Sequence, residues 1–200
     1  EPREVEWLWY PYIPYVKVTM IQGDPGEGKS TFVLNLAAML TTGTPLPFSV
    51  GEYEPMNVIY QNTEDDPEDT VIPRFIKAGG DRSRVFFIDE SDEALSFADI
   101  RIGETIRRTG AKLIIFDPLT SYIGEDISIN LANEVRSRMN YLIDVAKETG
   151  CAVVIVGHMN KMSGAKALYR SLGSIDVVGS ARSCLLIASS PDDPSKRIMA

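Results

Sequence analysis

The chain is poor in the residues that build covalent or metal staples: two cysteines and one histidine in 200 residues. One histidine and two widely separated cysteines cannot supply a tetrahedral zinc site at the spacings such sites use. Cys151 and Cys184 both lie in apolar, strand-like runs. They read as small buried hydrophobes in a reducing compartment rather than as a disulfide. Positive charge is also scarce. Twenty Lys and Arg stand against 28 Asp and Glu, a net charge of −8 with a pI near 4.8. That balance argues against strong, salt-resistant DNA binding by the domain alone. A signal peptide and a run of 18 apolar residues are both missing, so a soluble, cytoplasmic chain without a membrane partner is expected.

What is present is enough for one globular domain with a real core, at 44% apolar content. The last residues, Arg197-Ile198-Met199-Ala200, read as the opening of a further strand. Residues 1–200 are therefore expected to be one domain from a longer protein, with 1–15 as an extended, aromatic lead-in.

The most specific signal is Gly23-Asp24-Pro25-Gly26-Glu27-Gly28-Lys29-Ser30, followed by Thr31. It fits the loop that wraps the phosphates of a nucleoside triphosphate. Gly23, Gly26 and Gly28 are expected to take positive φ and let the backbone approach phosphate oxygens. The N–H groups at the following helix start favour an anion. Lys29 can reach the β- and γ-phosphates, and Ser30 can ligate Mg²⁺. Its context agrees with the motif: the β-branched strand 16–22 precedes the loop, and the apolar helix 31–40 follows it, ending near Gly43.

Further along, strands are predicted at 57–61, 85–88, 112–117, 152–156 and 183–189, and helices at about 67–78, 97–108 and 131–148. Loops are expected at 120–128 and 159–173. Alternating strands and helices give an α/β fold with a mostly parallel central sheet and helices on both faces. Asp117 closes a continuous apolar run, where an acid can hold the Mg²⁺ shell. The next residue is Pro118 rather than Glu, so the base must come from elsewhere. Glu64 is the candidate, provided its strand lies beside that of Asp117. The alternative is that Glu64, Asp65 and Asp66 only start the helix at Pro67. His158, at the next strand end, is a candidate γ-phosphate sensor or a plain structural histidine. Between His158 and Arg182, Lys161, Lys166 and Arg170 stand out in an acidic chain. They suit phosphate contacts to single-stranded DNA, or simply a solvated loop.

Taken together, Trp7-Leu8-Trp9, the phosphate loop, Tyr60-Gln61-Asn62-Thr63-Glu64-Asp65, Leu113-Ile114-Ile115-Phe116-Asp117-Pro118, Gly157-His158-Met159-Asn160-Lys161 and the Gly173 to Ser183 segment occur in one order. That order resembles the RecA-like, AAA-family ATPases of the plasmid and phage replicative helicase type. It departs from them at Tyr15-Val16, where the family usually has a Gly-Lys pair. The resemblance implies a RecA-like core, hexameric rings with ATP between subunits, Glu64 as catalytic glutamate and His158 as the γ-phosphate contact. It also implies that Arg182 or Lys161 reaches a neighbour's nucleotide. The function so implied is a Mg²⁺-dependent ATPase acting on DNA in replication or recombination of a mobile element. The rival is a nucleotide-dependent regulatory switch or assembly ATPase without translocation.

Overall fold

Backbone pairing joins residues far apart in sequence into one seven-stranded sheet. The computed structural model describes residues 4–49, 51, 53–124, 132–158 and 179–200. In chain order the strands are β1 (Trp7–Trp9), β2 (Ile13–Pro14), β3 (Val18–Gly23), β4 (Val58–Asn62), β5 (Val85–Phe86), β6 (Leu113–Asp117), β7 (Ala152–His158), β8 (Ser183–Ser189) and β9 (Arg197–Met199). The α-helices are α1 (Lys29–Thr42), α2 (Ile72–Lys77), α3 (Ile100–Thr109), α4 (Leu119–Tyr122) and α5 (Ala132–Thr149).

The sheet runs β5-β4-β6-β7-β3-β8-β9, and every pairing is parallel except β8 with β9. Alternation along the strands serves two cores. Ile21, Tyr60, Leu113, Ile115, Val154 and Val156 pack with residues of α1 and α2. Met20, Ile59, Ile114, Phe116, Val153 and Ile155 pack with α3 and α5. Both faces are therefore covered, which explains why the central strands are apolar without interruption. This is the α/β, RecA-like arrangement expected of the sequence.

Several elements differ in detail. The lead-in is a small antiparallel hairpin, β1 with β2, rather than a single extended segment. Its Leu8, Trp9 and Ile13 are buried, and the Trp9 indole donates to the Pro47 carbonyl at 2.9 Å. The helix expected from Pro67 is split: 67–71 form a wide turn in which the Val71 N–H reaches the Asp66 carbonyl, and α2 follows. Pro73, which has no N–H, cannot extend an ordinary helical ladder across this point. Strand β5 stops at Phe86 because the Gln61 side chain takes over the pairing of Ile88, binding both its N–H and its carbonyl. Overlapping the start of the loop expected at 120–128, Leu119–Tyr122 form one helical turn whose Leu119 and Tyr122 are buried against Phe97 and Phe116. Cys151 is buried as expected, its thiol pushed up to about 12 by desolvation. Cys184 is exposed, contrary to expectation, with its thiol 3.6 Å from the Gln22 side-chain carbonyl.

The hairpin's role is open to test. Trp9→Ala should lower the unfolding free energy by about 3–5 kcal/mol, the usual loss for emptying a large buried aromatic site. Chemical denaturation with an unchanged m-value would check it. An effect below about 1 kcal/mol would mark the hairpin as peripheral.

Candidate nucleotide site

Strand β3 ends at Gly23, and α1 begins at Lys29 after the loop 24–28. Gly26 and Gly28 both have φ of +83°, a conformation that a side chain resists, so glycine is required there by the backbone. Gly23 has a different reason. It lies in the strand, and a Cβ would run into the Ile187 carbonyl of β8. The motif's first glycine thus serves sheet packing rather than positive φ. The first turn of α1 is closed by Phe32 N–H donating to Gly28 at 2.9 Å.

Lys29 is 4% exposed, and its ammonium donates to the carbonyls of Gly23 and Asp24, each at 2.9 Å. Burial lowers its pKa, while nearby Asp117, Asp24 and Glu27 oppose the shift. Asp117 is fully buried, and its pKa is raised by desolvation, offset in part by a hydrogen bond from Ser30. One carboxylate oxygen accepts from the Tyr60 hydroxyl at 3.4 Å, whereas the other has no hydrogen-bond partner. A buried carboxylate with an orphan oxygen beside a helix-start serine fits a divalent cation. Among the described residues no group of three or more His, Cys, Asp or Glu side chains converges. Mg²⁺ is usually held by one or two protein ligands together with phosphate oxygens.

Parallel pairing sets the rest of the site. Asn62 of β4 is level with Asp117 of β6, so the Glu64 strand does lie beside the Asp117 strand. His158 of β7 is level with Gly23 of β3. From these two strand ends, His158 Nε2 and Glu64 Oε1 approach to 3.6 Å. A cavity of about 530 Å³ is lined by Gly26, Gly28, Lys29, Ser30, Glu64 and His158 among others. Pro25 and Thr31 also line it.

The acid cluster divides its labour. Asp66 caps the following turn, accepting from the N–H groups of Glu68 and Asp69. Asp65 instead pairs with Arg74 at 2.8 Å. Asn62 was not a sequence candidate, yet its side-chain carbonyl accepts from the N–H groups of Glu64 and Asp65 at 2.9 and 2.7 Å. It fixes the turn that carries Glu64. Tyr60, Ser189 and Arg197 were also missed. Ser189 donates to the Glu27 carboxylate at 2.7 Å, and Arg197 lies 3.0 Å from it. A polar pair closing an apolar strand, as Gln61-Asn62 does, was the available signal for Asn62.

Arg182 does not join this group. It is exposed and immediately precedes β8, and its N–H donates to Val18 at the opposite end of β3 from the phosphate loop. Lys161, Lys166 and Arg170 lie outside the described residues.

Comparison with known proteins agrees with this geometry. Residues 1–164 match the AAA domain family, and the chain belongs to that family. It is 26% identical over 163 residues to DNA repair protein RadA of Halalkalibacterium halodurans, covering 79% of this chain and 32% of the relative. It is 25% identical over 146 residues to DNA repair protein RadA of Bacillus subtilis, covering 72% and 28% respectively. The chain spans about a third of the length of these curated relatives. It is thus a RecA-like AAA ATPase domain that binds nucleotide. Among the described residues no helix is long and apolar enough to cross a membrane.

Two substitutions test the site. Lys29→Ala should abolish tight ATP binding by removing the cation from the phosphate loop, and calorimetric titration of the variant would show it. Asn62→Ala should leave ATP affinity unchanged and reduce kcat about tenfold or more, because a loosened Glu64 is mispositioned. An unchanged kcat would remove Asn62 from the site.

Proposed function

We propose that this AAA-family domain is a Mg²⁺-dependent ATPase in which Glu64 activates the attacking water and His158 responds to the γ-phosphate. The observation that carries the reading is the 3.6 Å approach of Glu64 and His158 in the cavity bounded by the phosphate loop. Glu64 keeps 54% of its side chain exposed, so water reaches it. Its carboxylate accepts a proton as the water oxygen bonds to the γ-phosphorus, while the bond to the bridging oxygen of ADP breaks. Lys29 and the loop N–H groups face the charge that develops on the phosphate oxygens. Mg²⁺, when bound, would supply positive charge that offsets part of this developing negative charge. Ser30 and Asp117 are the residues that would hold it.

The wider setting is DNA-associated. Two relatives carry the name DNA repair protein, and the order of motifs resembles that of ring-forming replicative helicases of mobile elements. In this reading residues 1–200 are one ATPase domain of a longer cytoplasmic protein. Subunits form a hexameric ring, Lys161, Lys166 and Arg170 meet single-stranded DNA, and Arg182 or Lys161 reaches a neighbour's nucleotide. Exposure of Arg182 at the edge away from its own phosphate loop suits action in trans. The net charge of −8 favours a second reading, a nucleotide-dependent regulatory switch or assembly ATPase without DNA translocation. Stimulation of the full-length protein's ATPase rate by single-stranded DNA supports the motor. An unaltered rate supports the switch.

Glu64→Gln should keep ATP binding and lower turnover by about 10²-fold or more, the scale for a lost general base. A near-normal rate would leave Glu64 as a helix-start acid. Arg182→Ala should keep ATP binding and lower hydrolysis by roughly 10³-fold, the lower range for an arginine finger. Mixing it with Glu64→Gln subunits should restore part of the activity. If mixing restores nothing and the variant only loses stability, Arg182 is structural.

A further inference from the structure

Tyr60 puts a hydroxyl into an otherwise apolar wall. It is 2% exposed in the middle of β4, and it belongs to the core cluster that includes Leu34, Val71 and Ile115. Phenylalanine would fill that space without the cost of burying a polar group. A tyrosine hydroxyl buried in this way calls for a partner. Here it donates to Asp117 Oδ2 at 3.4 Å, while Asp117 Oδ1 has no hydrogen-bond partner.

We propose that Tyr60 is a positioning residue for the metal: its hydroxyl holds one carboxylate oxygen of Asp117 and leaves the other, Oδ1, for the cation. The proposal rests on Ser30 and Asp117 holding Mg²⁺, as read above. Strand register places Tyr60 for this task. It is level with Ile115, and Asn62 is level with Asp117, so Asp117 lies diagonally across from it, two residues nearer the end of the strand. An aromatic side chain is long enough to bridge such a diagonal. Ser30, Tyr60 and Asn62 also line one small cavity of about 30 Å³ at the start of α1. Tyr60 thus stands beside both residues proposed for the cation.

The contact orients more than it binds. Fully charge-assisted hydroxyl–carboxylate bonds run to about 2.5–2.7 Å, well inside the distance seen here. What the hydroxyl fixes is the rotation of a carboxylate that is fully buried. Without it, the rotation is less closely set, and Mg²⁺ must select one orientation from several. Partners of metal ligands typically contribute about 10–100-fold to metal affinity or activity. A long bond puts the expectation at the lower end of that range.

The test is a calorimetric titration of Mg²⁺ into the full chain loaded with a non-hydrolysable ATP analogue, with protein in excess so that no free nucleotide competes. Tyr60→Phe, which removes only the hydroxyl, should weaken Mg²⁺ binding about tenfold. Tyr60→Met, an apolar side chain of different shape, should do the same. Both should bind the analogue in EDTA to within about twofold of wild type, a readout that general loosening of the core would move. In the Asp117→Asn background, which already lacks the carboxylate, Tyr60→Phe should weaken Mg²⁺ no further. Wild-type Mg²⁺ affinity in both Tyr60 variants, or an undiminished loss in the Asp117→Asn background, overturns the proposal. Failure of the underlying metal reading looks different: Asp117→Asn itself then binds Mg²⁺ like wild type, and the proposal falls with it.

Discussion

The in-register parallel pairing of β4, β6, β7 and β3 is the constraint on which the site depends. Parallel strands end at one edge, so residues at strand ends meet there whatever their separation in sequence. Asn62 is level with Asp117, and Gly23 is level with His158. A one-residue slip in any of these ladders would turn its side chains to the opposite face. The strand between the phosphate loop and Asp117 is β7, and it contributes His158 to the gap between them.

The second constraint is buried charge. Lys29 and Asp117 are both almost inaccessible, and desolvation pushes each toward its neutral form. Each ion is costly to bury unless paired or bound to a ligand. Here Lys29 is satisfied by two loop carbonyls, while one Asp117 oxygen is unpaired. Polar groups left in that condition at a sheet edge suit phosphates and a divalent cation better than they suit folding stability. Around this point the loop is held from outside as well. Ser189 and Arg197 fasten Glu27, which ties the phosphate loop to the β8–β9 pair.

Much of the architecture was legible in the sequence because apolar runs and glycine stops mark buried strands and helices directly. The strand 183–189 appears with its expected limits, and Arg197–Met199 does form a strand. The placement of Glu64 beside the Asp117 strand followed from reasoning about sheet order. What escaped depends on side chains replacing backbone. Gln61 ends β5 early by bonding to Ile88, and Asn62 shapes the turn at Glu64. Neither produces a periodic pattern. Gly23 was assigned to positive φ because the motif groups its glycines, but the nearby Ile187 carbonyl is a contact over 160 residues of chain that no local signal carries. Arg197 escaped for the same reason, since its partner Glu27 is equally distant in sequence.

The central claim is that Glu64 and His158 act as one unit on the γ-phosphate. A double-mutant cycle in single-turnover ATP hydrolysis tests it most directly, using Glu64→Gln, His158→Gln and the double variant, all with ATP binding verified. Residues acting as a unit are strongly non-additive. The account predicts that the double variant is no slower than Glu64→Gln alone to within about twofold, the error expected of such cycles. Rate losses that simply multiply would show two independent residues and contradict it.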